Sequence, residues 1–297
     1  MVNSSEISIT KHVVFSSAHG VSVVVCLLAA ILVLRLKLYK TLVYRLALYQ
    51  VLSALAMASV GILQVMRFIN YDESSDIYRR LCTAIGFLEV YTEWMKLLFT
   101  TWVTFHLFCF AVFHKNMKKL EALYVVTSLL VPALIAALPL VTQTYGSRYA
   151  GSTCYIQASN GSVALIERFA LWDGPAMFIL IGASTAMVVM VIKLASQVYR
   201  RSKYELITDG DQFSNALKQL LPLAIFPLLF FIFEIPVFTF HVYRFHHSTP
   251  NEGIVISAYI CVSLWSMASG ATVIIHISVA RICGRKRKPI PNQINVV

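Results

Sequence analysis

The feature that most constrains this chain is a series of apolar runs, each as long as the hydrocarbon core of a bilayer is thick. Crossing that core as helix takes about 20 mostly apolar residues, because lipid offers the backbone no hydrogen-bond partners. Seven such runs stand in the sequence, at 13–34, 46–66, 82–113, 122–141, 169–194, 217–243 and 254–279. The connections between them are too short to hold a further domain. With 58% of its residues hydrophobic and 13% charged, the chain has too little polar surface to cover a soluble globule of 297 residues. The expected fold is an all-α integral membrane protein, one seven-transmembrane helix bundle over residues 1–297. The first run is longer than a signal-peptide core of about 7–15 residues and its positive charges follow it, so it is expected to be retained. No internal repeat is visible, which disfavours transporters built from duplicated halves.

The net charge of +11 could suggest nucleic acid, but its distribution points elsewhere. With the N-terminus outside, the outer segments hold 7 Lys or Arg and the inner ones 17, and positive loops stay cytoplasmic. The C-terminus is then inside, and the basic excess faces anionic membrane lipids and a cytoplasmic partner, with no role for nucleic acid. Two Asn-x-Ser sequons, at Asn3 and Asn160, fall on the outer side and are candidate glycosylation sites. Past the last run, Cys283 and then Gly284-Arg285-Lys286-Arg287-Lys288 read as a juxtamembrane lipid contact, with Cys283 a candidate for palmitoylation. Cys26, Cys109 and Cys261 lie inside apolar runs, so only Cys82 and Cys154 stand in the oxidising compartment. They are expected to form a disulfide that ties the outer end of the third helix to the second outer loop.

The third run carries Glu89, Glu93 and Lys96, and ionisable residues inside a spanning helix are functional candidates by default. Spaced i, i+4 and i+7, they share one stripe at ~100° per residue. The run therefore reads as the central helix of the bundle, with a polar pocket on its outer half. Glu234, one turn or less from Pro236 in the sixth run, is expected at a depth where Lys96 could meet it. Two readings of Glu89, Glu93, Lys96 and Glu234 stand side by side. They form an interhelical ion-pair lock, or they line a ligand pocket in which Glu89, nearest the outside, meets a cationic group, with Arg67, Tyr91 and Trp94 as secondary contacts. Trp172, near the outer interface, reads as a membrane anchor. Pro222, Pro227 and Pro236 suit a sixth helix that bends, and the small residues Ser263, Ser266, Ala268, Ser269, Gly270 and Ala271 suit close packing of the seventh.

No catalytic constellation assembles, so an enzyme is not expected. Gly182-Ala183-Ser184 lacks the glycine that completes a serine elbow, and His241, His246 and His247 do not share a helix face. The seventh run contains no lysine for a retinal Schiff base, and no cofactor or metal is expected.

Seven spans, an outside N-terminus, a cysteine opening the third span and another in the second outer loop together resemble the G-protein-coupled receptor superfamily. The rhodopsin-like signatures are replaced. His106-Leu107-Phe108 stands where an Asp-Arg-Tyr triplet would end the third helix, and the seventh helix has Ser269-Gly270-Ala271-Thr272-Val273 without Asn-Pro-x-x-Tyr. The sixth keeps a proline in Phe233-Glu234-Ile235-Pro236 without its Cys and Trp partners. The chain therefore looks like a divergent receptor outside the rhodopsin-like class. The resemblance implies a plasma-membrane receptor for a small extracellular ligand and a heterotrimeric G-protein as partner. The inner cations Lys115, Lys118, Lys119, Arg200, Arg201 and Lys203 would meet that partner. The alternative is a seven-helix transporter or channel that uses the Glu/Lys stripe as an ion or proton relay.

Overall fold

The computed structural model describes residues 4–70, 75–113, 117–147, 154–156, 166, 169–204, 224–240, 243 and 252–285. Each apolar run becomes a helix, and in chain order these are α1 (Ser4–Arg35), α2 (Leu42–Asn70), α3 (Asp76–Phe113), α4 (Glu121–Val141), α5 (Gly174–Tyr204), α6 (Ala224–Phe240) and α7 (Glu252–Arg285). Among the described residues six are long and apolar enough to cross a membrane, and α6 is a shorter apolar helix. The expected sixth run, 217–243, continues beyond α6 into residues outside the described ones. The chain is thus a multi-pass, all-α membrane bundle. Its outward faces fit that setting: Leu134 and Val141 of α4 and Phe178 of α5 are 69%, 80% and 79% exposed, as side chains that meet lipid would be.

Hydroxyl groups in such helices have no water to bond, and here they turn back on their own backbone. Thr100, Thr104, Ser184, Ser269 and Thr272 each donate to the carbonyl four residues earlier, at 2.7–2.9 Å. This satisfies the hydroxyl protons within each helix, and Thr100 also accepts from Gln50 of α2 at 2.7 Å. Where the chain is small, helices come close instead. A Cβ on Gly270 of α7 would lie 3.1 Å from the backbone of Cys26 in α1. Across the same seam Ser22 donates to the Ser263 carbonyl at 2.9 Å and Cys26 to that of Ser266 at 3.3 Å.

As expected, α3 is central: it packs on α2, α4 and α5 and on both strands of a small sheet. Against α4 the contact is aromatic, with Trp102 stacked on Tyr124 at 4.7 Å and its indole N–H donating to Thr127. After α4, Gln143 takes a positive φ of 54°, and the chain turns into a two-stranded antiparallel sheet. Strand β1 (Tyr145–Ser147) pairs with β2 (Cys154–Ile156), Gly146 opposite Tyr155. This hairpin marks one end of the bundle.

The other end is held by an ion pair that the sequence reading left unassigned. Arg45, at the start of α2, meets Glu121, at the start of α4, with two hydrogen bonds of 2.5 and 2.6 Å, and Tyr49 donates to the same carboxylate at 3.1 Å. The planar guanidinium matches the carboxylate bidentately. A third bond from Arg45, to the Lys40 carbonyl at 3.2 Å, braces the turn between α1 and α2. In that turn Lys37 stands at φ 53°.

Candidate functional site

The hairpin packs against α3 at one end of the bundle, and several buried polar groups bond to it. Cys154 and Ile156 are fully buried. The expected disulfide is present: Cys154 is bonded to Cys82 of α3, their Cα atoms 5.2 Å apart. A second tie comes from Gln64, near the end of α2. Its amide oxygen accepts from the Cys154 N–H at 3.0 Å and its amide nitrogen donates to the Cys154 carbonyl at 3.1 Å. The buried amide thus replaces a neighbouring strand for that residue. Tyr145 of β1 makes a third tie, donating to the Ala136 carbonyl of α4 at 2.8 Å. Burial pushes its phenol above the ordinary range and the charge of Glu93 pushes the same way, so the donor proton is held. The phenol ring also lies on Gly86, where any Cβ would come within 2.8 Å of it.

The charged stripe of α3 is present, but its members go to three different partners. Glu89 accepts from Gln64 at 2.6 Å. Glu93 accepts from the Tyr155 phenol of the hairpin at 3.1 Å. Lys96, with no exposed surface, crosses to α7, where its ammonium donates to Ser266 at 3.0 Å and lies 3.6 Å from the centroid of the Trp265 ring. Lys96 forms no ion pair with a carboxylate among the described residues, whereas Arg45 pairs with Glu121 and Arg79 with Asp76. The ammonium of Lys96 thus acts on Glu93 and Glu234 through space and not through a direct ion pair. The reason is positional: Tyr155 occupies Glu93, while the ammonium is taken up by a hydroxyl and an aromatic face, a recognised cation–π geometry.

Glu234 of α6 is 8% exposed and has no hydrogen-bond or ion-pair partner among the described residues. It lines a cavity together with Glu93, Met57, Leu97, Trp172, Val237, Val262 and Trp265. The cavity has room for about one water molecule.

Trp172 corrects an expectation. Instead of anchoring in the interface it is buried, forming a cavity wall with its ring edge-on to Trp94 at 5.4 Å. The π-helical turn Phe169–Asp173 that opens α5 carries it inward, a local widening often found at functional positions. Trp94 itself is buried behind Trp172, and Tyr91 stacks on Phe87 at 6.2 Å; neither lines the cavity.

Gln64, Tyr155, Trp265 and Ser266 were missed as site residues. Gln64 carried a usable signal, since an amide inside an apolar run needs a partner. The others look like ordinary loop, aromatic and small-residue positions until the fold assembles them.

The remaining candidates fall elsewhere. Lys118 and Lys119 are exposed on the short turn before α4. Arg200, Arg201 and Lys203 lie on the last turns of α5, Arg67 near the end of α2 and Cys283 near the end of α7, described by their backbone alone. Asn3, Lys115 and Asn160 lie outside the described residues.

No protein-family model matches this chain, and no curated protein matches it. The functional reading therefore rests on the geometry of this end of the bundle.

Proposed function

We propose that the chain is a seven-transmembrane receptor of the plasma membrane, binding a small extracellular ligand beneath the hairpin and signalling to a heterotrimeric G-protein at the opposite end. This reading counts the 217–243 run as a membrane crossing and sets the N-terminus and the hairpin outside. The observation that carries it is the stapled hairpin joined to a small, mostly apolar cavity that holds two carboxylates. Glu93 belongs to that cavity and also holds Tyr155 of the hairpin, so a ligand that engages Glu93 acts directly on the hairpin and on α3. The orientation is supported by the exposed Lys37, Lys40, Lys118 and Lys119 at the end opposite the hairpin.

The test is nucleotide exchange on a panel of G-proteins in membranes containing this chain, against a variant lacking residues 202–214. Exchange above background that the deletion abolishes is the expected result. A second reading, an ion or proton relay, is favoured by the polar file that joins His19, Ser263, Ser266 and Lys96 across α1, α7 and α3. His19 lies 3.2 Å from the Ser263 hydroxyl, and Cys26 and Lys96 meet at Ser266. Silence across the panel, with proton uptake by proteoliposomes, would transfer the assignment to the relay.

A further inference from the structure

We infer that the cavity beneath the hairpin takes one compact ammonium group, either the ammonium ion or the end of an unbranched primary amine, between the carboxylates of Glu234 and Glu93. The inference names the ligand class of the outer site and in that sense rests on the receptor reading above.

Charge is the first argument. Glu234 is more than nine-tenths buried, faces the cavity, and has no hydrogen-bond or ion-pair partner among the described residues. Glu93 faces the same space and accepts from the Tyr155 phenol. The nearby ammonium of Lys96 bonds Ser266 and lies on the face of Trp265; it acts on Glu234 and Glu93 through space and offsets one negative charge of the two carboxylates. A buried carboxylate is costly unless it is paired, and a cation in the cavity pairs it.

The walls decide which cation. Only the two glutamates bring carboxylate oxygens; the other lining residues are Met57, Leu97, Val237, Val262 and the indoles of Trp172 and Trp265. Hard metal cations demand a shell of about six oxygens, which this lining lacks. An ammonium group is satisfied by a few acceptors and an aromatic face. The protein already holds one ammonium in that way: Lys96 rests on Trp265 with one hydroxyl as its oxygen acceptor among the described residues.

Size narrows the class further. The room is that of about one water molecule, and the ammonium ion is isoelectronic with water and similar in size. A primary amine can place its head there, whereas a trimethylated nitrogen cannot.

The experiment uses the purified full chain in nanodiscs, titrated at matched ionic strength with ammonium, methylammonium, tetramethylammonium or sodium chloride. Tryptophan emission and melting temperature are read together, since Trp172 and Trp265 line the cavity. Saturable changes with ammonium or methylammonium are expected, and none with tetramethylammonium or sodium. A response to methylammonium as well as ammonium identifies an amine terminus as the occupant, and a response to ammonium alone identifies the free ion. Glu234→Gln is expected to weaken the apparent affinity by about tenfold or more, and Glu234→Asp to retain binding. If Glu234→Gln does not fold, Val262→Ile serves instead, since it keeps every charge and adds one methyl to the wall; it is expected to abolish the response. A wild type with no saturable change, an equal response to sodium or tetramethylammonium, or unaltered binding in the variants overturns the inference. Exchange activity without ammonium binding defeats this inference and spares the receptor reading, and the reverse result spares this one.

Discussion

Gln64 and Lys96 show how single side chains set the character of this site. Gln64 serves the backbone N–H and carbonyl of Cys154 and the carboxylate of Glu89 at once. Gln64→Leu keeps the size and leaves all three groups without that partner. Orphaned buried groups cost about 1–3 kcal/mol each, and a loss of roughly 2–4 kcal/mol in unfolding free energy is expected for the variant, measured by chemical denaturation in micelles. Lys96 carries a prediction that the sequence alone would have reversed. Were it locked to Glu234, Lys96→Met would release the bundle and raise basal signalling. Because its ammonium is held by Ser266 and Trp265, basal nucleotide exchange by the receptor proposed above is expected to stay at the wild-type level. A rise with normal surface expression would restore the lock.

Between elements, the closest approaches are made where glycine or a small hydroxyl residue removes bulk. The imidazole of His19 in α1 lies against Gly61 of α2 so closely that any Cβ there would overlap the ring. Its nitrogens in turn reach Ser263 of α7. Gly61 therefore permits a three-helix contact. Gly61→Val is expected to push α1 away from α2 and destabilise the bundle by about 1–3 kcal/mol, seen as a lower melting temperature. Gly20→Ala makes a suitable control, since a Cβ on Gly20 meets nothing within 4 Å, and it should leave the melting temperature unchanged.

At the scale of the molecule, two ties close the two ends differently. The hairpin end is joined by a disulfide and buried hydrogen bonds, and the opposite end by the partly exposed Arg45–Glu121 pair. A disulfide ignores salt, whereas a partly exposed ion pair weakens with it. The orientation proposed above is open to a direct check. In sealed microsomes, glycosidase-sensitive mass at Asn3 or Asn160 is expected together with tryptic cleavage after Lys118 or Lys119 from the cytosolic side. Cleavage there only after the membrane is opened would invert the topology.

What the sequence determined by itself is the class of fold, the central helix and the cysteine pair. Apolar length and the sidedness of charge are local properties, so the helices α1 to α5 and α7, with their spanning runs, were legible from composition along the chain. Cys82 and Cys154 were legible because the charge pattern along the chain sets them apart from the cysteines inside the apolar runs, and they are bonded. The tertiary structure decided who pairs with whom. Glu89, Glu93 and Lys96 share a stripe in any helix, yet their partners come from Gln64, Tyr155 and Ser266, in three other segments of the chain. Trp172 reads as an interfacial residue by position, yet it lies in a π-turn, buried as a cavity wall. In lipid, helix formation is dictated by the backbone's need for internal partners, which each segment meets alone. The pairing of buried polar side chains is dictated by which helices touch, and no single segment contains that information.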